Sequence, residues 1–110
     1  MQRNQKICRL IEEFSLYILE NHSSSINIDI KEENKKDIIT FTTEVLSPKV
    51  ESFLKENIVP KRLCEVEEYG WELMGEGASD DDFKIVSALI NEISFEIRDN
   101  KSVIKMVRYE

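Results

Sequence analysis

Two hydrophobic rhythms, kept in separate stretches of the chain, limit what this sequence can fold into. From Asn4 to His22 the apolar residues Ile7, Leu10, Ile11, Phe14, Tyr17 and Ile18 recur at steps of three and four, which gathers them on one side of an α-helix. Three serines at 23–25 end that rhythm. Ile26, Ile28 and Ile30 then alternate with Asn27, Asp29 and Lys31, the period of two of a half-buried strand. Ile38 to Thr43 is β-branched and aromatic, so the two apolar runs predict a hairpin with Ile39 and Phe41 facing the same core as the isoleucines. The charged stretch Lys31 to Asp37 is expected to stay out of the core as its polar loop.

The same two rhythms return in the second half. Ser47-Pro48 reads as an N-cap followed by proline in the first helical turn, and Val50, Phe53, Leu54 and Ile58 follow at helical spacing. Pro60 interrupts that helix, and Leu63, Val66, Tyr69 and Leu73 predict a third helical segment. Gly75 and Gly77 bracket Glu76 in a loop; Asp80 to Asp82 then open a fourth helix carrying Phe83, Val86, Leu89 and Ile90. Ile93, Phe95 and Ile97 alternate, Asp99-Asn100-Lys101 is turn-like, and Val103 to Tyr109 is β-rich. The predicted order is α-β-β-α-α-α-β-β. It implies an α+β fold, a two-layer α/β sandwich in which two hairpins build a four-stranded, mostly antiparallel sheet covered by helices on one face. A length of 110 residues suits one domain, residues 1–110. Hairpin adjacency fixes only two of the three neighbour relations in such a sheet.

Charge and composition narrow the function. Fifteen Lys and Arg against 22 Asp and Glu give a net charge of −7, which disfavours capture of nucleic-acid phosphates. Cys8 and Cys64 are too few and too far apart for a disulfide framework or a CxxC motif, so reduced thiols are expected. No apolar run approaches the roughly 18 residues needed to span a bilayer. The polar start Met1 to Lys6 leads into an amphipathic segment rather than a signal-peptide core, so a cytoplasmic location without membrane contact is expected.

Candidate chemistry is sparse. His22 stands alone beside Glu20 and Asn21 with no second His or nearby Cys, and reads as a polar helix terminus rather than a ligand or base. Gly75-Glu76-Gly77 before the Asp80 helix has the layout of an anion-binding loop, but Glu76 and Asp80 to Asp82 would repel a phosphate. The ligand spacing of an EF-hand is absent, and no serine lies in a G-x-S-x-G turn. No catalytic or metal residue is assigned. Tyr69, Trp71 and Met74, next to the glycine loop, are candidates for an exposed interface anchor.

The sequence of a first helix, a hairpin, intervening helices, a glycine-containing loop, a helix and a final hairpin resembles the Bergerat-fold ATPase domain shared by histidine kinases, gyrase B and anti-sigma-factor serine kinases. Gly75-Glu76-Gly77 and Ile85-Val86 echo its second glycine box, and Phe95-Glu96-Ile97 and Val103 to Met106 look like its last two strands. That family carries a Glu and an Asn four residues apart on the first helix; here Tyr17 stands four before Asn21, and no Asp-x-Gly-x-Gly adenine box follows. The resemblance implies a degenerate member that kept the sheet and lost the nucleotide chemistry.

Two functional expectations follow. The favoured one is a non-catalytic regulatory or protein-interaction module that takes no cofactor and meets a protein partner through a sheet face or the Trp71 region. The alternative implied by the resemblance is a nucleotide-binding, histidine-kinase-like ATPase, with ATP and Mg²⁺ near Glu20, Asn21, Gly75 and Gly77. A homodimer is also expected, by pairing of the C-terminal Val103 to Tyr109 strand with a neighbour.

Overall fold

Residues 3–21, 25–60, 87 and 90–109 are described by a computed structural model. They form α1 (Arg3–Asn21), β1 (Ile26–Glu33), β2 (Lys36–Glu44), α2 (Pro48–Asn57), β3 (Glu92–Arg98) and β4 (Lys101–Tyr109). The strands make one antiparallel sheet in the order β1-β2-β4-β3. This is the expected α+β, two-layer arrangement. The expected helical segment Leu63 to Leu73 lies outside the described residues. Of the expected fourth helix, Ser87 is described and is helical, while Ile90, expected to be carried by that helix, is described as non-helical and buried in the core.

Period two along each strand, carried through the register, sorts the sheet into rows. On the inner face Ile28, Phe41, Ile104 and Phe95 form one row, and Ile30, Ile39, Met106 and Ile93 the next. Ile7, Leu10, Phe14 and Ile18 of α1 and Val50 and Leu54 of α2 pack in one core with the β2 and β4 members of these rows. Both helices therefore lie on the same side. Phe14 and Phe41 meet with ring centroids 4.4 Å apart, tilted by 46°, and Tyr17 stacks on Phe53 at 5.1 Å where the helices touch. Such pairs add about 0.5–1.5 kcal/mol beyond the area they bury.

Local chemistry places the connections. The Ser47 hydroxyl accepts the Val50 amide at 3.3 Å with Pro48 in the first turn, as the Ser-Pro pair predicts. At the other end of α2 the Ser87 hydroxyl donates to the Asn57 carbonyl and accepts the Val59 amide, both at 3.0 Å. The inner-face row Ile26, Thr43, Ser102 and Ile97 is polar at its two central positions, where both hydroxyls serve chain entries. Thr43 donates to the Ser25 carbonyl at 3.1 Å, and Ser102 accepts the Leu46 amide at 2.9 Å. A buried hydroxyl with a backbone partner avoids the desolvation cost of an unmade bond.

In the sheet the structure departs from the sequence expectations in four places. The charged loop shrinks to the two-residue turn Asn34-Lys35, and Lys31 to Glu33 and Lys36-Asp37 join the ladder. Asp37 is not excluded from the core; it is 2% exposed on the inner face, in register with Arg108. The Arg3 guanidinium grips it with two hydrogen bonds, from Nε to Oδ2 at 3.1 Å and from Nη2 to Oδ1, and reaches Glu32 at 3.2 Å. Glu32 and Asp37 are cross-strand neighbours, so a cation between them removes a like-charge repulsion. β1, expected to be half-buried, is an edge strand exposed from Asn27 to Glu33, because the helices cover the two central strands. Finally, β4 is interior, bonded to β2 on one side and β3 on the other, so Val103 to Tyr109 has no edge to offer a neighbour.

Both hairpins turn through two residues with positive φ: Asn34 and Lys35 at 52° and 61°, Asp99 and Asn100 at 52° and 63°. This is the backbone that suits the right-handed strand twist. Asn and Asp tolerate the left-handed region; Lys35 does so at a cost. Lys35→Gly is expected to raise stability by about 0.5–1 kcal/mol in urea unfolding. Arg3→Met, which strands the Asp37 carboxylate, is expected to lower it by about 1.5–3 kcal/mol, with most of that loss absent when Asp37→Leu is already in place.

Candidate functional site

The sheet's outer face is turned away from α1 and α2. Its rows run Asp29, Thr40, Lys105, Ser94; then Lys31, Ile38, Val107, Glu92; then Asn27, Thr42, Val103, Glu96. The central strands supply a floor of threonine and β-branched apolar residues together with Lys105, while the edge strands supply charged walls. Val103 and Val107 are only 8% and 7% exposed although they stand on this outer face. The result is a groove of about 340 Å³ crossing all four strands, floored by Ile38, Thr40, Val103 and Lys105.

The groove alternates in sign. Asp29, Glu33 and Glu96 line it together with Lys31, Lys105 and Arg98, and Arg98 is ion-paired with Glu96. A chain with a net charge of −7 thus shows here a face on which acid and base are mixed. At one end Lys36 sits 5.0 Å from the centre of the Tyr109 ring, its cross-strand neighbour, and the Tyr109 hydroxyl donates to Glu92 at 2.5 Å. That hydrogen bond, with desolvation and the carboxylate's charge behind it, lifts the Tyr109 phenol above its ordinary value of 10.0.

Of the residues singled out in the sequence, Glu20 and Asn21 are exposed at the C-terminal end of α1. The Asn21 side chain donates to the Tyr17 carbonyl at 3.0 Å. Asn21 also borders a smaller cleft, about 230 Å³, between α1 and the start of α2, with Tyr17, Ser47, Lys49 and Phe53. Gly75, Gly77, Tyr69, Trp71, Met74 and His22 lie outside the described residues. Among the described residues no three His, Cys, Asp or Glu side chains come together as a metal site, and no helix is long and apolar enough to cross a membrane. The sequence points to a sheet face as a docking surface but not to the residues that line it. Their signal was present in the alternating polar positions of all four strands, but only the β2 to β4 pairing brings the two halves of the groove together.

Ionising Tyr109 would destroy its donated hydrogen bond and set a second negative charge beside Glu92, so the phenol keeps its proton to higher pH than in the unfolded chain. Absorbance titration of tyrosinate is expected to show one residue ionising late, and Glu92→Gln to bring it back towards 10.0.

No protein-family model, curated protein or solved structure matches the chain, which leaves the geometry of its own surfaces as the ground for function.

Proposed function

We propose that this chain is a non-catalytic, cytoplasmic protein-interaction module that receives a protein partner on the outer face of its sheet. The observation that carries the reading is the groove itself: a floor of Ile38, Thr40, Val103 and Lys105 on the two central strands between edge-strand walls of mixed charge. Such a surface fits an extended or helical segment that carries both signs, because complementary charge sets register and the apolar Ile38 and Val103 in the floor reward desolvation. A nucleic-acid backbone would need cations of one sign, and the acids in both walls oppose it. The floor is also part of a rigid ladder, so docking there orders little of this protein.

A second reading, the nucleotide-binding ATPase, draws on the cleft beside Asn21, where Lys49 adds a positive charge next to the stacked Tyr17 and Phe53 rings. The two differ in what stabilises the protein. On the interaction reading ATP with Mg²⁺ leaves the melting temperature unchanged; a Mg²⁺-dependent rise lost in Asn21→Ala would favour the nucleotide reading instead.

The partner is to be sought by affinity capture from native extract, comparing the wild type with the paired change Thr40→Arg and Lys105→Glu. Both sites are on the outer face and away from the core, so unfolding is expected to shift by no more than about 0.5–1 kcal/mol. A captured protein that binds the wild type and is lost from the variant, with far-UV dichroism unchanged, supports the outer-face reading. Equal capture by both would sink it.

A further inference from the structure

The edge of the sheet at β1 poses a separate question from its outer face. β1 is eight residues long, ends the strand order, and is exposed from Asn27 to Glu33. On its inner side Ile28 and Ile30 are 42% and 51% exposed, although their cross-strand neighbours Phe41 and Ile39 are fully buried. A long edge with apolar side chains on one side is a template for another strand.

The turn decides which peptide groups of β1 are available. Glu33 and Lys36 flank a two-residue turn and so form a hydrogen-bonded pair. Pairs alternate in an antiparallel ladder, so Lys31 and Asp29 also bond to β2, while Glu32, Ile30 and Ile28 direct their N–H and C=O groups outward. Three outward-facing residues spaced by two are what a further antiparallel strand requires.

We propose that this edge pairs with β1 of a second copy of the chain, antiparallel and centred on Ile30. A two-fold axis through the middle of β1 permits several registers, and charge chooses among them. Centring on Asp29 sets that carboxylate directly against its own copy. Centring on Ile30 sets each Asp29 against a Lys31, twice over, and joins the two isoleucines at the axis. Ile28 then pairs with Glu32, whose carboxylate is already engaged by Arg3. The outward N–H and C=O groups of Ile28, Ile30 and Glu32 all find partners, and two four-stranded sheets become one continuous sheet. This assembly goes beyond partner binding on the outer face and does not depend on it.

The test is a charge exchange read by sedimentation equilibrium of the full chain over a range of concentrations. Asp29 and Lys31 are exposed on the outer side of an edge strand, so neither substitution disturbs the core. The wild type is expected to dimerise. Asp29→Lys alone and Lys31→Asp alone each turn two attractive pairs into repulsive ones and are expected to weaken the dimer about tenfold or more. The double exchange, Asp29→Lys with Lys31→Asp, restores the pairs and is expected to restore the dimer. Ile30→Pro, which removes an N–H pointing away from β2, provides a further check and is expected to leave a folded monomer. A wild type that stays monomeric at every concentration overturns the proposal, as does an undiminished dimer in Lys31→Asp or a double exchange that fails to recover.

Discussion

The nine-residue pairing of β2 with β4 is the interaction on which the rest of this structure depends. Each hairpin is a local object, closed by a two-residue turn, and a lone hairpin is marginal in water. The central ladder turns two such objects into one sheet and creates the four-residue rows against which both helices pack. It is also the costliest contact to form, since it joins residues about sixty or more apart in sequence and the loop-closure entropy is lost before the contacts form. Its register is correspondingly well defined. Asp37 faces Arg108 near one end, Glu44 faces Lys101 at the other, and Lys36 lies over Tyr109, while Ile39, Phe41, Ile104 and Met106 meet in the middle. A slip by one residue would turn the apolar set outward, and a slip by two would set Asp37 against an apolar neighbour.

The helices add to this frame by closing its inner face and pinning one corner. α1 begins with Arg3, a cation at the end of a helix where the backbone dipole favours anions. What makes the placement workable is the pair of carboxylates it meets, Glu32 and Asp37 on adjacent strands. A bidentate guanidinium on a buried carboxylate fixes direction as well as charge. The contact therefore orients α1 across the sheet while Phe14 and Ile18 supply the apolar area. α2 is oriented by hydroxyls instead, with Ser47 at its start and Ser87 at its end, and Lys55 reaches back over the Phe95 ring at 5.7 Å.

Much of this was legible in the residues because periodicity reports which side of an element is buried. Ile7, Leu10, Phe14 and Ile18 mark the buried side of α1, and Ser47-Pro48 marks the start of α2. The class of the fold follows from the change of rhythm at 23–25. What the residues did not reveal are the features that need a third dimension. Asp37 belongs to a run of charges, and only its place two before Ile39 and four before Phe41 puts it on the inner side, where a partner from another element is obligatory. Ile28 and Ile30 carry the same alternation as a buried strand, and strand order alone makes them an exposed edge. The C-terminal strand has the composition of any strand in the sheet, so its central position could not be read from it. The outer-face groove is built from alternate residues of four strands and has no contiguous motif at all.

The arrangement separates the duties of the two faces in a way that bears on recognition. A binding surface built on loops must be ordered when a partner arrives, and that ordering opposes affinity. Here the groove floor consists of Ile38, Thr40, Val103 and Lys105, whose backbones belong to the two best-paired strands and whose opposite faces support the core. Any displacement of the floor would have to disturb Ile39, Phe41 or Ile104 beneath it. Close packing makes that costly. The floor is thus held fixed by the same ladder that holds the fold together, and adaptability is confined to the long charged side chains of the walls and of Lys105. On the proposed reading, a partner would be selected by how its charges fit those walls, while the shape it met would be set in advance by the core.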